Sequence, residues 1–256
     1  MALQYSEIKF LTKNFDTTIR NFYRGVLNYP TKKHIRLTRI QKLIGDRMLK
    51  SKLNKPSFYL AAQADITELM AMRPKLRKSL GVRITTNAFY IHALGLAVQK
   101  YPIAAGKVEG DKIKIAEHIN VGFAVNAPQG LVVPVIKDAG EKKLPDIARL
   151  EALLTDKARD NKLTLEEIEG ETVALSNLGA YGIDCFLGIV PPPASTILAV
   201  GNAIATPVYQ PKTDEIEIRK IISLSMAADH RVMNEFYAAE FLNFIKEELQ
   251  NPQRLI

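Results

Sequence analysis

The chain has almost nothing with which to cross-link itself. Its 256 residues include one cysteine, Cys185, which excludes an intramolecular disulfide and fits a reducing compartment. CxxC pairs are absent, and the four histidines (His34, His92, His118 and His230) lie too far apart for a short metal motif. No metal is therefore expected. No apolar run approaches the ~20 residues of a membrane-crossing helix, so no transmembrane segment is expected. The glycines form no GxGxxG or Walker pattern, which excludes phosphate cradles of those kinds. Ser176 has no GxSxG elbow around it, which disfavours a hydrolase-type nucleophile. No sequence period of the length used by repeat proteins recurs.

What is present is ordinary for a soluble globular protein: 47% hydrophobic and 24% charged residues. A chain of this length buries about three quarters of its unfolded surface without staples. The net charge of +8 is uneven, because residues 1–55 hold 13 Lys and Arg against 3 Asp and Glu, and the remainder 22 against 24. Nucleic acid is one partner for such a region. No nucleic-acid-binding motif accompanies the basic residues, however, and an anionic small molecule or acidic partner explains them with fewer assumptions. No nucleic acid is expected.

Phe15, Ile19, Phe22 and Val26 suit one face of a helix, so residues 1–34 read as a basic and aromatic helical arm. A second helix is expected from Ile35 to Met48, with Ile40, Leu43, Ile44 and Met48 on one side; Pro56 ends it. Phe58–Ala64 reads as a strand, and Asp65-Ile-Thr-Glu68 as a helix start. Asn87–Gln99 is a strongly apolar helix in which His92 reads as a satisfied core residue. Strands follow at Ile119–Asn126 and Leu131–Lys137, then a helix over 143–160. Thr164 and Glu167 resemble a capping box. Extended segments at Thr172–Asn177, Thr196–Val200 and Ile216–Ser225 precede a last helix from Glu235 to Leu249. The mixture predicts one α/β domain with a mixed sheet after the arm.

Two places could carry chemistry. His230 follows a strand and is flanked by Asp229 and Arg231; imidazole is the side chain best matched to proton transfer near neutral pH. Ser176, in Ser-Asn-Leu-Gly after another strand, could bond a substrate or a developing oxyanion, although the same sequence is good strand-to-turn chemistry.

Five motifs then agree in order: Arg39-Ile-Gln-Lys-Leu-Ile-Gly-Asp-Arg47-Met with Ser51 and Pro56; Gly130-Leu-Val-Val-Pro-Val-Ile136; Leu175-Ser-Asn-Leu-Gly179 with Gly182-Ile183; Pro192 before an Ile-Leu-Ala-Val-Gly strand; and Asp229-His-Arg-Val232. In these, residues 35–256 resemble the catalytic domain of the dihydrolipoyl acyltransferase component of 2-oxo acid dehydrogenase complexes, most of all the pyruvate-type acetyltransferases. The resemblance implies a chloramphenicol acetyltransferase-like α/β fold and an obligate homotrimer. It implies acyl transfer, acetyl first, between dihydrolipoamide and coenzyme A, with no metal. His230 would be the general base, Ser176 the oxyanion donor and Asn234 a supporting residue. Arg73, Thr85, Asn126, Ser176 and Asn177 match positions that line the coenzyme A channel in relatives.

Further implications are a cage of twenty-four or sixty subunits and contacts with a lipoyl-bearing protein and the first and third enzymes of the complex. The location would be cytoplasmic, or the mitochondrial matrix in a eukaryote. Three departures stand against the family pattern. Asn234-Glu235 replaces Asp-Gly, so Glu235 would strain the turn if the family glycine needs positive φ. No lipoyl domain with an Asp-Lys-Ala hairpin and no peripheral-subunit-binding domain is read, so either the chain is a fragment or the lipoyl group would come in trans. The arm is unlike a flexible Ala/Pro-rich linker. A non-catalytic core that recruits partners through its arm is the alternative; a small-molecule acetyltransferase on the same fold is a third reading.

Overall fold

Residues 34–128 and 130–256 are described by the structure, a computed structural model. The expected arm at 1–34 lies outside these residues but for its last position. Arg39–Ile256 forms one unit.

The first helix, α1, runs Arg39–Asn54 and stops before Pro56 as expected, since the residue before a proline disfavours the helical region. It starts and ends later than its apolar spacing suggests, and Leu43 is 60% exposed. What ties α1 down is polar. Ser51 Oγ donates to the Val190 carbonyl (2.5 Å) and an Arg47 guanidinium nitrogen to that of Pro192 (2.6 Å). Strand β1 (Ser57–Asp65) leads into α2 (Thr67–Leu80). The Asp65 carboxylate accepts from the Thr67 N–H at 2.9 Å, which confirms the helix-start chemistry read there. Helix α3 (Thr86–Lys100) is almost wholly buried.

Two short hairpins were not foreseen: β2 (Lys107–Glu109) with β3 (Lys112–Lys114), and β10 (Ile204–Gln210) with the start of β11 (Glu215–Asp229). The expected strands at 119–126 and 131–137 are each broken in two. They become β4 (Val121–Phe123) and β5 (Val125–Ala127), then β6 (Gly130–Val132) and β7 (Val135–Ile136). Pro134 lacks an N–H and breaks the second ladder; its carbonyl instead accepts from Phe123 N–H at 2.9 Å. Helix α4 (Leu144–Arg159), β8 (Val173–Asn177), β9 (Thr196–Val200) and α5 (Glu235–Gln250) complete the chain.

One sheet organises the unit, in order β1-β11-β9-β8-β4-β7. It is mixed: β8 is parallel to β9 and β4, whereas β11 is antiparallel to β1, β9 and β10. Strand alternation gives it two chemically different faces. Leu175, Leu198, Leu224 and Met226 point into the main core with Phe89, Leu94 and Phe241 from α3 and α5. Ala174, Ile197 and Ala227 point the other way, against Val190 and Tyr59. Burying the larger face is the main stabilising contribution, at about 25 cal/mol per Å² of apolar surface.

Candidate active site

His230 is the first residue past β11, and the backbone at and beside it is held by three hydrogen bonds. Its N–H donates to the Pro56 carbonyl (3.0 Å), Asp229 N–H donates to that of Ser195 (2.9 Å), and Val232 N–H turns back to that of Asp229 (2.9 Å). Asp229 itself is buried, only 1% exposed. A buried carboxylate needs full hydrogen bonding. Arg231 supplies it, with its backbone N–H (3.1 Å) and Nε (3.0 Å) on Oδ1 and a terminal nitrogen on Oδ2 (2.7 Å). Lys55 lies in the same field. Burial pushes its amine down while Asp229 pulls it up, and its Nζ donates to the Ala194 carbonyl.

On this foundation the imidazole emerges half-exposed. Its ring meets Phe58 edge-on at 5.5 Å between centroids, and Nε2 lies 3.0 Å from Glu235 Oε1. Phe58 carries no sequence signal, and the β1–β11 register, which pairs it with Ala228, brings it there; Glu235 stands out in the sequence only as a departure from the family glycine. Asn234 is the N-cap of α5, its Oδ1 accepting from Tyr237 N–H at 2.9 Å. The strain expected of Glu235 is absent. Glu235 is the first helical residue of α5, and the non-glycine residues with positive φ among those described are Asp138, Asn161 and Asp214.

Ser176 sits two strands away. It pairs with Ala199, which pairs with Ser225, five positions short of His230. Two strand spacings and a five-residue advance separate the two side chains by roughly 20 Å. One chain therefore cannot bring both to the same carbonyl group. Pairing also places Ser176 on the minor face with Ala199 and Ser225, while Asn177 pairs with Val200 on the major face.

Of the residues assigned by resemblance to the coenzyme A channel, Arg73, Thr85 and Asn177 lie along the start of α3. Asn126 reaches the loop after β8, and Ser176 faces the other side of the sheet. Arg73 Nε donates to the Ile84 carbonyl (3.3 Å). Next to it, Thr85 caps α3: its hydroxyl accepts from Ala88 N–H (3.1 Å) and donates to the buried Glu151 carboxylate (3.0 Å), whose pKa burial raises. Asn177 Nδ2 donates to Asn87 Oδ1 in the first turn of α3 (2.7 Å), and its Oδ1 accepts from Gly179 N–H (2.9 Å). Asn126 Nδ2 reaches the Tyr181 hydroxyl at 3.4 Å. Thr85 and Asn177 are thus engaged in holding α3 against β8. Sequence reasoning missed Asn87, Glu151 and Tyr181, which complete these contacts and stand in no motif.

The turn after β8 needs its glycines. A Cβ on Gly179 would lie 2.6 Å from the Gly201 carbonyl oxygen, and one on Gly201 1.9 Å from that of Asp184. The 179–184 loop is therefore pressed onto the end of β9, and Cys185 Sγ beyond it lies 3.1 Å from Ser225 Oγ. Hydrogen bonds from Ser223 and Ser225 lower the thiol's pKa. Among the described residues no three His, Cys, Asp or Glu are grouped to hold a metal, and no helix is long and apolar enough to cross a membrane.

The family model for the catalytic domain of 2-oxoacid dehydrogenases acyltransferase matches residues 29–256. A dihydrolipoyllysine-residue acetyltransferase component of the pyruvate dehydrogenase complex, from Rickettsia bellii, is 36% identical over 221 residues, 85% of this chain and 52% of that protein. The chain spans about half the length of the curated relatives it matches. Among solved structures, the Azotobacter vinelandii dihydrolipoamide acetyltransferase, studied for a serine, a histidine and an asparagine in its catalytic mechanism, is similar. It superposes with a TM-score of 0.82 at 28% identity over 90% of this chain and 96% of that one. The cubic core of a pyruvate dehydrogenase multienzyme complex gives 0.82 at 30% identity, with the same coverage. A chloramphenicol acetyltransferase, at 0.51 and 12% identity over 80% of this chain and 94% of that one, shares the fold alone.

Proposed function

Because the chain belongs to the family of 2-oxoacid dehydrogenase acyltransferase catalytic domains, we propose that it transfers an acyl group, acetyl first, between dihydrolipoamide and coenzyme A. The observation that carries this reading is a half-exposed imidazole standing next to a buried Asp229 carboxylate whose oxygens are bonded by the part-exposed Arg231. His230 takes the proton of the coenzyme A thiol. The sulfur then attacks the thioester carbonyl carbon of the acyl-dihydrolipoyl group. The Ser176 hydroxyl donates to the tetrahedral oxyanion, and collapse expels the dihydrolipoyl sulfur, which takes the proton back from His230. A positioned base contributes about 10²–10⁴-fold and an oxyanion donor about 3–4 kcal/mol.

Since His230 and Ser176 are too far apart within a chain, their partners come from different copies, and the working unit is a homotrimer with sites between subunits. Exposed apolar side chains support such contacts. The β10–β11 hairpin presents Pro207, Tyr209, Ile216 and Ile218 on one face by register, and Ile216 is 71% exposed. Patches of this kind mark interaction surfaces. Association of trimers into a cage, by likeness to the cubic core, extends the same reading. The lipoyl group, on its own domain, enters the site from outside residues 35–256. Asn234 supports His230 from the helix cap, and Arg73, Thr85, Asn126 and Asn177 bind coenzyme A at the end of β8 that carries Ser176. The relatives named are components of a pyruvate dehydrogenase complex, and this chain's location follows theirs.

Purified protein is expected to acylate dihydrolipoamide from acetyl-CoA, and His230→Ala to slow it at least about a hundredfold. No transfer with any short acyl-CoA would leave the alternative, a non-catalytic core. One observation favours that second reading: the Glu235 carboxylate on His230 Nε2 occupies the base.

A further inference from the structure

Glu235 stands 3.0 Å from the tip of His230, and its chemistry restricts what that ring can be at rest. An ionised carboxylate only accepts hydrogen bonds. The contact therefore requires a proton on Nε2, and a neutral ring then has its lone pair on Nδ1. Yet Nε2 is the ring nitrogen farther from its own backbone, and the one best placed to meet an incoming thiol. In this state the imidazole cannot accept a proton at Nε2.

We propose that Glu235 is a displaceable cap on His230, which coenzyme A must push aside to reach the base. The proposal rests on the acyl-transfer reading above. Two features make the cap removable. Both side chains are more than half exposed, 51% and 58%, and exposed ion pairs hold weakly. Glu235 also has somewhere to go: it is the first residue of α5, where the unpaired N–H groups of the first turn favour a carboxylate. The swing from imidazole to helix end needs only side-chain rotation, since the backbone at Asn234 and Tyr237 is fixed by the cap. Asp229, the nearest other carboxylate in sequence, is fully occupied by Arg231 and does not compete.

The test compares wild type with Glu235→Ala in the assembled protein. Diethyl pyrocarbonate modifies an unprotonated imidazole nitrogen, and peptide mass spectrometry resolves each histidine. Uncapping is expected to speed modification of His230 about three- to tenfold, while His118, paired with Asp138 at 2.8 Å, keeps its rate. In turnover, KM for coenzyme A is expected to fall up to about fivefold, the scale of an exposed ion pair, with kcat moving less. Equal modification rates at His230, or a faster rate with KM unchanged, overturn the proposal. If neither protein transfers an acyl group, the acyl-transfer reading fails by itself; protection of His230 by added coenzyme A, stronger in Glu235→Ala than in wild type, then decides the cap.

Discussion

At the scale of single residues, the contrast between His230 and His92 shows how little a histidine reveals on its own. His92 lies inside α3 as its apolar surroundings predict, but it is not satisfied: its Nδ1 is buried with no hydrogen-bond partner. Burial pushes its pKa down to about 4 from 6.5, so the folded protein keeps it neutral. The unfolded chain binds a proton there below pH 6.5 and the folded one only near 4, so stability is full above this window and falls as the pH drops through it. By pH 5 the loss is about 2 kcal/mol. Urea unfolding at fixed chain concentration should show wild type losing that much more than His92→Leu between pH 7 and pH 5. Equal losses would mean that His92 finds a partner or a proton in the folded state.

At the scale of elements, long apolar-periodic segments were legible and short ones were not. Helices α3, α4 and α5 begin and end within about two residues of their sequence limits, because each has a buried stripe and a stop signal. The β2–β3 and β10–β11 hairpins have little burial to pattern them, with Lys112, Ile113 and Lys114 all exposed. The sequences of β2, β3 and β10 therefore read as loop, whereas Ile216–Ser225 of β11 reads as extended. The Asp-His-Arg and Ser-Asn-Leu-Gly segments were legible as strand ends. What holds them was not, since the sheet brings Pro56 and Phe58 to His230 and Ser195 to Asp229 from distant parts of the chain. Asn234 illustrates the difference: its side chain, singled out for chemistry, caps α5. Asn234→Ala is expected to cost about 1 kcal/mol, and Asn234→Asp almost nothing, in denaturant midpoints. Loss of activity in Asn234→Asp at unchanged stability would assign the amide a role beyond the cap.

At the scale of the whole molecule, the separation of Ser176 from His230 dictates how defects combine. On the proposed shared site, a trimer of Ser176→Ala chains and one of His230→Ala chains each lack one group at every site. Unfolding and reassembling an equal mixture should restore intact sites at about a quarter of the wild-type number, because a site needs its histidine from one variant and its serine from the neighbouring other. Transfer that stays at the level of the separate variants would place both groups in one chain and contradict the strand register.

The sheet order has a consequence for the chain while it is being made. Among the described residues strand β1 is an edge whose only neighbour is β11, and 149 residues lie between the end of one and the start of the other. A ribosome adds about 5–20 residues per second, so β1 waits on the order of ten to thirty seconds with its hydrogen-bonding groups unpaired. Such an edge invites pairing with the wrong chain. The strand that ends this exposure also delivers His230, so a nascent chain acquires its safety and its chemistry together.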